Sequence, residues 1–263
     1  MKQFYLIVAL MGLLNSSCQS NTSKKATTKA PEENKNTEVS KDKDDSTANK
    51  ESDAVKYIYG IDISKYQGDE VDLMSKNKDS LKFIICKATE GITYTDPDFD
   101  NNWKVISENG YVKGAYHFYR CNDDAQSQAD NFLNAIASIK STDIPPIVDF
   151  EEGSIDASQS TADIQTNLLT FLSIIEKQTN RKPMIYTDIN TGNAYLDSSE
   201  FSNYPLWVAN YTDAVQPDLP KAWKDKGWDF WQQSDDYTID VTTNDFDIFN
   251  GNLNDLRVFI KTH

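Results

Sequence analysis

Two carboxylates stand two residues apart in the stretch Ile144-Pro145-Pro146-Ile147-Val148-Asp149-Phe150-Glu151-Glu152-Gly153. On an extended strand successive side chains point to opposite faces, so Ile147, Asp149 and Glu151 share one face and Val148 and Phe150 the other. The Cα atoms of Asp149 and Glu151 are then roughly 6.5–7 Å apart, and both carboxyl groups reach a single glycosidic bond. On a face turned away from bulk water, desolvation and mutual repulsion raise the pKa of one of them. An acid held protonated beside an ionised partner suits protonation of a glycosidic leaving oxygen. Alone, the Asp-x-Glu tripeptide is weakly specific, because acids two apart are common at solvated strand ends.

Further acids recur in similar settings. Gly60-Ile61-Asp62-Ile63-Ser64 puts Asp62 and Ser64 on one face, and Asn244-Asp245-Phe246-Asp247-Ile248-Phe249 puts Asp245 and Asp247 on one face with Phe249. If the first and last strands adjoin in a closed barrel, Asp62 and Asp247 become neighbours at its mouth, while Asp245 reads as a cap or turn acid. Aromatic residues are plentiful, with 5 Trp, 13 Tyr and 12 Phe. Tyr116, Tyr186, Trp207, Tyr211 and Trp231 fall at strand ends, where their rings suit the apolar C–H faces of sugars as well as they suit a core.

The elements that must position these residues are legible from Tyr57 onward. Strand-like runs are expected at 57–63, 82–88, 111–118, 145–151, 182–187, 205–209, 228–232 and 245–249. Apolar residues at spacings of three and four predict helices over 124–140 (Ala125, Ala129, Phe132, Ile136, Ile139) and 161–178 (Ile164, Leu168, Phe171, Leu172, Ile175). A third helix, over 98–109, is predicted to stop at Gly110. Alternating strands and helices imply parallel strands joined by right-handed crossovers, and the strand count implies one α/β barrel of the TIM-like type. The connections after Pro205 are too short for regular helices, so the barrel is expected to be irregular there, with C-terminal helices missing or shortened.

The two ends of the composition bound the partners. Residues 1–18 pair Lys2 with an apolar run from Phe4 to Leu14 and end Asn15-Ser16-Ser17-Cys18. That pattern predicts a signal peptide of lipoprotein type, with Cys18 as the lipidated residue and ordinary secretion as the alternative. Residues 19–56 are polar and carry almost nothing large and apolar, which predicts a disordered tether. Residues 57–263 carry 17 basic and 33 acidic side chains, a balance that disfavours nucleic acid and anionic membrane surfaces as partners. Membrane contact is expected only through the N-terminal lipid, and the protein is expected to act as a monomer outside the cytoplasm. Cys86 and Cys121 are equally compatible with a disulfide and with two buried thiols. No CxxC, His-rich tract or HExxH is present in the sequence, so no metal centre is expected.

Read together and in order, these segments resemble the glycoside hydrolase family 25 muramidases. Gly60-Ile61-Asp62-Ile63-Ser64, Lys87-Ala88-Thr89-Glu90-Gly91, Gly114-Ala115-Tyr116-His117-Phe118 and Asp149-Phe150-Glu151 look like successive landmarks of that family. So do Ile185-Tyr186-Thr187, Leu206-Trp207-Val208-Ala209-Asn210-Tyr211 and Trp231-Gln232. The resemblance implies a barrel of mostly parallel strands, no cofactor, and hydrolysis of the β-1,4 bond between N-acetylmuramic acid and N-acetylglucosamine in peptidoglycan. It implies Glu151 as general acid and Asp149 as stabiliser of the charge developing at the anomeric carbon, through the substrate's acetamido group or directly as a carboxylate. Asp62 and Asp247 would be supporting acids, and Tyr116, Tyr186, Trp207 and Gln232 would line the substrate groove. Lys87, Glu90 and His117 are as compatible with structural roles. The sequence departs from the family where Asp-x-Asn is usual, since Asp247-Ile248-Phe249 ends in Phe, and Gln233 stands where an aromatic residue is common. A glycan-binding barrel without turnover, and a glycosidase of chitin-like polymers, share most of these features.

Overall fold

A computed structural model describes residues 57–67, 80–239 and 242–263. The expected signal peptide, tether and Cys18 lie outside the described residues. The strands are β1 (Ile58–Ile63), β2 (Leu81–Glu90), β3 (Tyr94–Thr95), β4 (Val112–Phe118), β5 (Ile147–Asp149), β6 (Met184–Asp188), β7 (Leu206–Ala209), β8 (Phe230–Ile239) and β9 (Thr242–Phe249). All but the two-residue β3 form a ring in the order β1-β9-β8-β7-β6-β5-β4-β2, closed by pairing of β1 with β2.

From β1 through β8 the barrel neighbours are parallel, as the alternating pattern predicts. The last strand departs from that expectation. β9 runs antiparallel to both β8 and β1, because only two residues separate it from β8 and so short a link can join only antiparallel neighbours. The helices are α1 (Phe99–Glu108), α2 (Ala125–Ala135), α3 (Thr161–Thr179), α4 (Ile189–Tyr195) and α5 (Leu253–Thr262). The Asp124 carboxylate caps α2 by accepting from the Ser127 N–H, and Ser160 caps α3 by accepting from Asp163. α1 ends where expected, with Gly110 at φ 79°. α2 stops five residues short of the predicted end, although Ile136 and Ile139 still face the core from the turns that follow. A seven-residue α4 and a 3-10 turn at Lys221–Trp223 stand where full helices would follow β6 and β7, so the C-terminal irregularity is present.

Alternation on the strands divides the core into two parts. Ile61, Ile84, Cys86, Val148, Phe150, Ile185 and Val208 pack outward under the helices, whereas Ile58, Phe83, Ile85, Ile147, Met184, Trp207, Phe230 and Phe249 point into the barrel. The helix α5, unanticipated in the sequence, adds Leu256, Phe259 and Ile260 to the inner cluster. It closes the end of the barrel at which the parallel strands start, and the Lys182 N–H donates to the carbonyl of His263 there at 2.7 Å. The floor is aromatic: Phe230 meets Phe83 edge-on at 5.2 Å between centroids and lies 5.0 Å from Phe249 and 5.6 Å from Phe259. Gly60 is required beside this floor, since a Cβ there would approach the Phe83 ring to 2.3 Å. Cys86 and Cys121 are separate buried thiols.

Phe230→Ala is therefore expected to cost about 3–5 kcal/mol of folding free energy, read by chemical denaturation. Destabilisation below about 1 kcal/mol would show that the floor is not packed as described.

Candidate active site

The open end of the barrel, where the parallel strands finish, holds a cavity of about 260 Å³. Asp62, Tyr116, Asp149, Glu151, Tyr186, Trp207 and Gln232 all line it. Asp149 is the last residue of β5, and its backbone is held on both sides, its carbonyl accepting from the Tyr119 N–H and the following Phe150 N–H donating to the Tyr186 carbonyl. Glu151 lies just beyond the strand, contrary to the expected span, yet its backbone is still extended at φ −134° and ψ −175°. The alternation therefore continues through it. Asp149 and Glu151 both reach the cavity, while Phe150 turns into the helix-side core. A 3-10 turn at Glu152–Ser154 fixes the end of this segment, with the Glu151 N–H donating to Ser154 Oγ at 3.1 Å.

Asp247 is placed differently from its expected position. Across the β1–β9 ladder Asp245 stands opposite Asp62, and Asp247 stands opposite Gly60 one level deeper. Asp245 thus lines the cavity and Asp247 does not; Asp247 is 0 % exposed, and its Oδ1 accepts from Trp207 Nε1–H at 2.9 Å. The reading of Asp245 as a turn acid is corrected by this register.

A polar network organises the wall. The hydroxyls of Tyr186 and Tyr211 both donate to Gln232 Oε1 at 2.8 Å, and Gln232 Nε2 donates to Asp62 Oδ2 at 2.7 Å. Trp207 meets the Tyr186 ring edge-on at 4.7 Å. Lys87 also lines the cavity and pairs with Glu90 at 2.7 Å, and Glu90 is held in turn by Arg120. His117 faces the other way. It sits between Phe132 and Phe171, with Thr89 on Nδ1 and Gln128 on Nε2, and burial pushes its pKa down to about 3, so it stays neutral and structural. Ser64, Tyr66, Gln67, Phe118, Tyr211 and Asp245 complete the lining. Tyr66 and Gln67 directly follow the Asp62 strand in sequence, a proximity that could have marked them.

Two further clefts share lining residues with this cavity. Tyr66 and Lys87 also border a cleft of about 580 Å³, and Glu151, Tyr186 and Tyr211 border another of about 390 Å³. Adjoining clefts of this kind offer more room than one small molecule would fill. A larger hollow of about 710 Å³ lies at the far end, by the last turns of α3 and α5, and none of its side chains is a carboxylate.

Charge is costly among these acids. Burial, followed by the charge of Glu151, raises the Asp149 pKa well above the usual carboxylate range. Burial and then Asp188 raise that of Glu151, against the lowering influence of Lys87 and Arg120. As a pair they retain a proton beyond the pH at which exposed carboxyls ionise. Asp149 Oδ1 is buried and receives no donor. Asp62 and Asp247 are likewise raised by burial and by neighbouring acids, and burial with Asp235 nearby lifts Asp245 to about 6.

Known proteins match this chain. The family model described as glycosyl hydrolases family 25 matches residues 61–241. The chain is 34% identical over 210 residues to uncharacterized protein YegX of Escherichia coli (strain K12), covering 77% of this chain and 73% of that protein. It is 31% identical over 222 residues to an N,O-diacetylmuramidase of Arthroderma benhamiae, covering 78% and 87% of the two chains. The muramidase from Acremonium alcalophilum has a similar structure, with a TM-score of 0.71 at 28% identity, covering 78% of this chain and 100% of that one.

The raised carboxyls carry a consequence for stability. Their folded-state pKa values exceed the unfolded ones, so their contribution is fully present below the unfolded value of about 4 and is lost as pH rises through the folded values, about 6 for Asp245. The Tm is expected to be higher at pH 5 than at pH 8 by roughly 5 °C. The difference should persist in about 0.5 M salt, which screens repulsion between surface charges. A Tm independent of pH in that range would contradict the raised values.

Proposed function

The chain belongs to glycosyl hydrolases family 25, and from that premise we propose that residues 57–263 form a peptidoglycan hydrolase, a muramidase that cuts the β-1,4 bond between N-acetylmuramic acid and N-acetylglucosamine. The observation that carries this reading is the joint presence of Asp149 and Glu151 on the wall of one cavity, with two further clefts adjoining it.

In this reading Glu151 is the general acid. It is half-buried at the mouth and nearer to solvent than Asp149, which is 8 % exposed. The two carboxyls share a proton before substrate binds. An acetamido N–H of the bound sugar donates to Asp149 Oδ1, which has no other donor. That hydrogen bond favours the ionised form of Asp149 and leaves the shared proton on Glu151. Glu151 transfers it to the glycosidic oxygen as the C–O bond breaks, and the acetamido carbonyl oxygen bonds to the anomeric carbon in its place. The ionised Asp149 offsets the positive charge that develops on the acetamido group. Water then attacks the anomeric carbon as its bond to the acetamido oxygen breaks and the acetamide re-forms, and the water's proton passes to Glu151, which restores the starting state. Asp62 and Asp245 line the wall from which substrate and water are oriented, and Tyr116, Tyr186, Trp207 and Gln232 offer sugar rings three aromatic rings and a fixed hydrogen-bonding frame.

Action on cell wall places the enzyme outside the cytoplasm. We read residues 1–18 as the signal that takes it there, Cys18 as the lipid-bearing residue and residues 19–56 as the tether. Among the described residues no helix is long and apolar enough to cross a membrane.

Glu151→Gln is expected to lower digestion of purified peptidoglycan by about 10²–10⁴-fold with the melting transition retained; near-normal digestion would end the assignment. Cys18→Ser is expected to move the protein from the membrane fraction to the soluble one. An unchanged distribution would exclude a lipid anchor at that residue.

A further inference from the structure

We infer that Asp247 works as a neutral carboxylic acid, a buried proton donor that holds Asp62 in position from below and is therefore a positioning residue. Its effect on turnover rests on the reading of the barrel mouth as a glycoside-cleaving site; its protonation does not.

The argument begins with the register. Asp247 points into the barrel opposite Gly60, one level deeper than the Asp62–Asp245 pair, and is 0 % exposed. Trp207 Nε1–H can only donate, which makes Asp247 Oδ1 an acceptor. Asp247 Oδ2 is buried and receives no N–H or hydroxyl donor. The Asp62 carboxyl stands one level above it on the barrel axis, and at 0 % exposure Asp247 Oδ2 has neither a donor nor bulk water to support a charge. Two charges buried so near one another with no cation beside Asp247 are costly, so one of the two carboxyls carries a proton.

The rest of the network decides which one. With both tyrosine hydroxyls donating to Gln232 Oε1, the Gln232 amide N–H is turned towards Asp62, which accepts it at 2.7 Å. Asp62 also retains some contact with solvent at the mouth. Although burial and Asp245 opposite it make a charge costly on Asp62 too, of the two groups Asp62 is the better placed to carry it, with the Gln232 donor and the open cavity beside it. A charge on Asp247 would have one indole N–H as its support and no water. The groups that face Asp247 are Asp62 on β1, Trp207 on β7 and Asp245 on its own strand, and none is a cation. Burial and the nearby acids raise the Asp247 pKa, in agreement with this geometry. Donation from Asp247 Oδ2–H to Asp62 leaves every polar atom of the Asp247 carboxyl satisfied.

A carboxamide has the same shape and donates at every pH, whereas alanine removes the donor. Asp247→Asn is accordingly expected to retain most of the peptidoglycan turnover, and Asp247→Ala to lose about tenfold or more, the effect of one hydrogen bond to a charged group. Infrared difference spectroscopy supplies a readout independent of activity. The wild type should show the carbonyl band of a protonated carboxylic acid at pH 7 that Asp247→Asn lacks and Glu151→Gln keeps. A spectrum in which Asp247→Asn removes no such band would overturn the inference, and so would an Asn variant as impaired as the Ala variant. Should Asp247→Ala fail to fold, the infrared comparison of wild type and Asp247→Asn decides. A wild type that digests no peptidoglycan would overturn the enzymatic reading alone, and the same spectra would still decide the state of Asp247.

Discussion

Five carboxyl groups share the mouth of a closed barrel whose floor is hydrocarbon, and the cost of keeping all of them charged governs the rest of the site. Asp62, Asp149 and Glu151 face one cavity with Asp245, and Asp247 lies directly beneath. Lys87 is the cation that lines the same cavity, and it is already paired with Glu90. Like charges at such separations, taken from water, raise one another's pKa, so the cluster keeps protons at a pH where exposed carboxyls have lost them. A general acid needs that property. The fold supplies it through crowding and burial rather than through a special residue type.

Strand alternation makes the crowding possible. Each strand sends every second side chain to the helix-covered layer and the others to the barrel axis. Along the axis, hydrocarbon at the closed end gives way to polar groups at the open end: Phe83, Phe230 and Phe249 beside α5 below, then Trp207, then Asp62, Asp149 and Gln232. The aromatic floor excludes water from beneath the acids and thereby sustains their raised pKa values. Gln232, fixed by two tyrosine hydroxyls, and Trp207, bonded to Asp247, connect the packed layer to the charged one. Packing and chemistry are therefore continuous along the same strands.

Much of this was legible in the sequence for physical reasons. The two-residue period of a strand puts Asp149 and Glu151 on one face whether or not the ladder extends to Glu151, and the structure keeps them together beyond the formal end of β5. The helical spacing of Ile164, Leu168, Phe171, Leu172 and Ile175 led to α3. What remained hidden depended on contacts distant in sequence. The antiparallel direction of β9 follows from a short link, which composition does not reveal. The docking of α5 depends on an aromatic floor assembled from three strands, β2, β8 and β9. Whether Asp245 or Asp247 stands beside Asp62 is a matter of β1–β9 register, since both share a face and only pairing sets their depth.

The central claim, that Asp149 and Glu151 together retain a proton above the pH at which exposed carboxyls ionise, is tested most directly by carbon-detected NMR titration of the side-chain carboxyls, with Glu151→Gln and Asp149→Asn used to assign the pair. The account predicts two separated titration steps shared by both resonances, the second well above the ordinary carboxylate value of about 4. Two independent steps, both near that ordinary value, would contradict it.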